Sequence, residues 1–145
     1  MDENKELLTL IYQDADMGIS SLTTLIRKLN KTDNKIKKVV EGELKGYEEF
    51  LKKTKKMMKE YKFDIDKKSI VSKLGSTMGI NMEFMKDNSD SRVADMLIQG
   101  FTMGVLSISK KIDNFSGDAK KDIINLAKDF RKFQQENVEI LKKYL

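Results

Sequence analysis

Apolar side chains recur along this chain at three- and four-residue spacing, and short polar breaks divide the pattern into long blocks. Leu7, Leu8, Ile11, Ala15, Gly18, Leu22, Leu25, Ile26 and Leu29 keep the 3.6-residue period, which predicts a first helix over about 4–29. The break at 30–34 is polar, with Thr32 or Asp33 placed to cap a second helix over about 34–61. A break this short makes the two helices antiparallel neighbours. The second helix shows Ile36, Val39, Val40, Leu44, Tyr47, Phe50, Leu51, Met57, Met58 and Tyr61 on its apolar side. Its outer side carries Glu41 with Lys45, Glu48 with Lys52 and Glu49 with Lys53, a spacing that favours ion pairs.

The next stretch, of nearly thirty residues, is too long for a structureless loop in a compact domain. A shorter helix is expected over about 67–85, capped by Asp66, with Ile70, Val71, Leu74, Met78, Ile80, Met82, Phe84 and Met85 as its apolar set. A turn at 86–91 then leads into a helix over about 91–115. Gly117, free to turn left-handed, and Asp118 as N-cap open a last helix over about 118–144, with Ile123, Ile124, Ala127, Phe130, Phe133, Val138, Leu141 and Leu145 expected on its inner side. The pattern predicts an all-α four-helix bundle, residues 1–145 forming one domain, with a long crossover between the second and third long helices.

The stretch 91–108 is the most apolar, and nearly every face of a helix built there is greasy, so it is expected to be covered on most sides. Its apolar run, 93–108, is shorter than a membrane span and contains Asp95 and Gln99, so no transmembrane segment is expected. The motif G-x-T-M-G occurs twice, at 75–79 and 100–104. Small residues four apart let helices approach closely, so the two copies are expected to pack against other helices, against one another, or against their counterparts in a homodimer. A phosphate loop would need a preceding strand and a following lysine, and neither is there.

Composition narrows the chemistry. The chain has no Cys and no His, which removes thiol nucleophiles, thiolate metal sites, Ser-His-Asp and Cys-His catalysis, and histidine-ligated zinc or haem. It also lacks Pro and Trp, in keeping with an almost wholly helical chain. The N-terminal MDENKELL has no signal-like pattern, and a cytoplasmic location is expected. The net charge is +5, yet residues 51–74 alone hold nine lysines against Glu60, Asp64 and Asp66. Lys52, Lys53, Lys55, Lys56 and Lys59 form the densest part of that basic patch. With only Tyr61 and Phe63 nearby to stack on bases, a solvated helix end is expected there rather than a nucleic-acid surface, and a polyanion binder is the competing reading.

The informative residues are polar ones inside apolar stripes. Asp14 interrupts the first helix's stripe, Glu43 the second's, and Gln134 with Asn137 the last one's. Buried carboxylates are costly unless paired, hydrogen-bonded or bound to metal. The set is expected to form a buried polar cluster in which the groups satisfy one another, with Tyr12, Tyr47 or water.

Four long helices with a long second crossover and acidic residues midway along the first two resemble the ferritin-like superfamily. Its di-iron members place a Glu on each of two helices and Glu-x-x-His on each of the other two. The resemblance puts Asp14 at the first ligand position and Glu43 at the head of the second motif, with Gly46 where His is expected. Gln134 and Asn137 stand at the fourth helix's motif, and Gly100, Met103, Gly104 or Ser107 where the third helix needs Glu. The departures fall on the ligands, so the chain is most similar to small bacterial ferritin-like proteins of unknown function that lack the di-iron set. The resemblance implies no catalytic residue and no cofactor. It leaves a non-catalytic structural or protein-interaction module, with a homodimer or another protein as partner. A degenerate carboxylate site for iron or manganese, built on Asp14, Glu43 and Gln134, is the alternative.

Overall fold

The computed structural model describes residues 2–64 and 87–145. They form four long helices, α1 (Glu3–Leu29), α2 (Lys37–Glu60), α3 (Asp90–Phe115) and α4 (Lys121–Lys142), and no strand occurs among the described residues. No described helix is long and apolar enough to cross a membrane. The helix expected over 67–85, its Met78, Met82 and Met85 stripe, the G-x-T-M-G copy at 75–79, and Lys67, Lys68 and Lys73 lie outside the described residues.

The helices pair as two hairpins. α1 lies chiefly along α2 and α3 along α4, and the hairpins join through contacts of α1 with α3 and α4 and of α2 with α4. Polar contacts at the helix ends fix the directions. At one end the start of α1 meets the end of α3 through Lys111 and Glu6 (2.9 Å). There the Lys120 N–H, just before α4, donates to Asn4 Oδ1 (2.6 Å), and the Tyr61 hydroxyl, just after α2, donates to the Asp122 carboxylate (2.9 Å). At the other end the start of α2 meets the start of α3. The chain therefore leaves α2 at one end of the bundle and enters α3 at the opposite end. Leu7, Leu8, Ile11, Leu25, Ile36, Val93, Ile108, Ile123, Phe130 and Leu141 are among the side chains packed between the helices, drawn from one stripe of each.

The helix starts depart from expectation. Neither Thr32 nor Asp33 caps α2, whose N-cap, Ile36, offers no side-chain bond. The Asp90 carboxylate on α3 takes that place, accepting from the N–H groups of Lys35 (3.2 Å) and Ile36 (3.3 Å) and from the Asn34 amide (2.8 Å). Thr32 instead donates back to the Leu29 carbonyl (3.0 Å), closing the end of α1. Gly117 does not turn left-handed, and Asp118 is not a cap: α4 starts three residues later, behind Lys120. Among the described residues the left-handed one is Lys62 (φ 58°), which ends α2 in a turn where the Phe63 N–H donates to the Met58 carbonyl (2.8 Å).

Two further expectations fail on the outside of the bundle. None of the pairs Glu41–Lys45, Glu48–Lys52 and Glu49–Lys53 closes among the described ion pairs, as befits exposed side chains whose pairing barely offsets lost freedom. The apolar run of α3 is not covered all round either. Met103 is 69% and Leu106 59% exposed, because a bundle helix has one inward stripe and these two stand opposite it.

Candidate functional site

Three of the four polar residues inside the apolar stripes, Asp14, Glu43 and Gln134, converge on one side chain, Tyr47 of α2. Its ring lies parallel to Phe101 of α3 (centroids 5.6 Å apart, planes at 4°) and edge-on to Phe133 of α4 (5.2 Å, 80°). Phe50 and Phe130 complete a cluster of five rings, Phe50 meeting Phe130 edge-on at 5.1 Å. Burial pushes the Tyr47 hydroxyl's pKa far up. The charges of Asp14 and Glu43 push the same way, and the neighbouring Gln134 amide opposes them. Three helices thus deliver a polar group to the neighbourhood of one phenol.

Glycines create the room. A Cβ at Gly18, one turn after Asp14, would stand 2.5 Å from the Tyr47 ring. A Cβ at Gly46 would collide with the Phe133 ring, and one at Gly104 with the Gln134 amide. Each of these glycines admits a large side chain from a neighbouring helix. In sequence the signs were a small residue inside an apolar stripe and, for Gly104, the G-x-T-M-G motif, and neither told which side chain would fill the space. Tyr47 was expected as one of two tyrosines near the polar cluster, but not as the ring at its centre.

The cluster does not satisfy itself. Asp14 Oδ2, both Glu43 carboxylate oxygens and Gln134 Oε1 are buried without a hydrogen-bond partner. Glu43 is 2% exposed and Gln134 1%. Asn137 stands apart, because its amide donates to the Phe133 carbonyl one turn back (2.8 Å). That bond to its own helix replaces the mutual pairing expected from sequence. Tyr12 does not join the cluster either: its ring faces the Lys55 ammonium at 6.0 Å, and burial followed by the charge of Asp16 raises its pKa.

Protonation takes the place of pairing. Burial raises the Asp14 carboxyl to about 7 and the Glu43 carboxyl to about 8, so that Glu43 is largely a neutral acid at neutral pH. A neutral carboxyl, a phenol and an amide have matching donors and acceptors. Among the described residues no three Asp or Glu side chains come together as a metal-holding group. The oxygens available to a cation are those of two carboxyls, one amide and one phenol.

Lys52, Lys53, Lys55, Lys56 and Lys59 all stand exposed on the last turns of α2. Lys53 leans over the Phe50 ring at 5.5 Å, and none of the five forms an ion pair among the described residues. They make a solvated basic edge at the bundle end that also holds the start of α4.

Comparison with known proteins returned no matching family model, no matching curated protein and no matching solved structure.

Proposed function

We propose that this chain is a ferritin-like bundle whose centre is filled by its own side chains, and that it serves as a non-catalytic structural or protein-interaction module. One observation carries this reading. Gly46, where the ferritin-like resemblance expects a His ligand, and Gly104, one of the four positions of α3 where it expects a Glu, are glycines whose space is taken by Phe133 and Gln134. A plugged centre of this kind has neither the nitrogen ligands nor the four carboxylates of an oxygen-activating iron pair. The absence of His and Cys from the chain removes imidazole general bases and thiol nucleophiles as well.

A second reading draws on the unpartnered oxygens of Asp14, Glu43 and Gln134, which are what a single hard cation such as manganese would satisfy. Elemental analysis of protein purified without chelator separates the two. The plugged-centre reading expects iron and manganese far below one per chain, before and after incubation with either metal. Stoichiometric metal that is lost in Glu43→Ala would overturn it.

A further inference from the structure

The outer face of α3 is the surface that the module reading leaves without a purpose. From Met96 to Ser109 the helix carries no charged residue, in a chain of which 35% is charged. Along its outermost line stand Gln99, Met103 and Leu106, all exposed, and the last two are among the most exposed large apolar side chains of the described residues. The neutral band has a charged pair at each end on the same face. Arg92 and Asp95 precede it, and Lys110 and Asp113 follow it.

We infer that this face binds a second copy of the chain, α3 lying antiparallel to its counterpart about a two-fold axis near Thr102 and Met103. The charge order selects the direction. Antiparallel pairing about that axis sets Asp95 opposite Lys110 of the other copy and Arg92 opposite its Asp113, and the symmetry repeats both attractions. Parallel pairing in register would set Arg92 against Arg92 and Asp95 against Asp95. Spacings of four, three and four residues from Gln99 through Met103 and Leu106 to Lys110 give the seam that two helices need to lie side by side. Lys110 and Asp113 form no ion pair within the described chain, and Asp95 meets only groups of its own helix, the Arg92 guanidinium at 3.6 Å and the Gln99 amide, which donates to it at 3.4 Å, both on the exposed side, so these charges can turn to a partner. Apolar contact at the centre supplies the affinity, and the charges set the register.

This inference rests on the module reading for its role, but its test is independent of metal. Sedimentation velocity of the full chain over a range of micromolar concentrations is expected to show a reversible dimer. The double variant Met103→Glu, Leu106→Glu, with helical circular dichroism retained, is expected to be monomeric. Asp95→Lys replaces two attractions with two repulsions and should weaken association by about tenfold. Adding Lys110→Asp should restore it, since the pair is then merely exchanged. A wild-type chain that stays monomeric throughout overturns the inference, and assigns the face to the rest of its own chain if the Glu variants also lower the melting temperature. A dimer insensitive to the Glu variants, or one that the charge exchange fails to rescue, overturns the proposed geometry.

Discussion

The middle of the bundle and its ends treat polar side chains in opposite ways. At the ends, Asp90, Asn34, Asn4, Glu6, Lys111, Tyr61 and Asp122 are part-exposed or exposed, and each finds a partner on a different segment. In the middle, Asp14, Glu43 and Gln134 lie near Tyr47 with oxygens that find none. Contacts at the ends cost little desolvation because water still reaches them, and they determine which helix starts meet. Groups in the middle lose their water and gain no ion pair, so the carboxyls keep their protons. The ends specify topology, while the middle trades stability for a buried titratable centre.

The largest test of this contrast is pH. The unfolded chain gives up these two protons near its ordinary carboxyl values of 3.8 and 4.5, whereas the folded one holds them to about 7 at Asp14 and about 8 at Glu43. Between those limits the folded state binds more protons, so stability is full below about pH 4 and falls as pH rises through the folded values. With about 1.4 kcal/mol per pH unit for each group, the loss between roughly pH 5 and pH 8 is on the order of 5 kcal/mol. Urea unfolding at the two pH values measures it, and Asp14→Asn with Glu43→Gln should flatten the dependence. A wild-type chain equally stable at both would erase the distinction between middle and ends.

A smaller effect separates inner from outer glycines. Gly46→Ala drives a methyl group into the Phe133 ring and is expected to cost about 1–3 kcal/mol, less about 1 kcal/mol recovered in helix propensity. Gly42→Ala meets open space and should stabilise the same helix by up to about 1 kcal/mol. Thermal melts of the two variants should therefore move in opposite directions. At the ends, Asp90→Ala removes the carboxylate that caps α2 from another helix, at a cost of about 1 kcal/mol. Hydrogen exchange should quicken at the first turn of α2 while the middle of the bundle stays protected, and uniform exchange would show that the cap does not act locally.

The sequence alone was enough to place four long helices, because a 3.6-residue period is a local property that any window of the chain displays. It placed the starts of α1 and α3 within a residue of those observed, and it singled out Asp14, Glu43 and Gln134 as hydrophilic groups in apolar stripes. It missed the cap of α2, since the capping carboxylate comes from Asp90, more than fifty residues along the chain. Asn137 looked equivalent to Gln134, and only the folded helix shows its amide bonded to its own backbone. That the carboxyls gather about Tyr47 unpaired, and that Phe133 and Gln134 fill the spaces above Gly46 and Gly104, was decided by tertiary structure. Periodicity tells which face of a helix turns inward. What that face meets, and whether water or a partner comes with it, depends on helices that are neighbours only once the chain has folded.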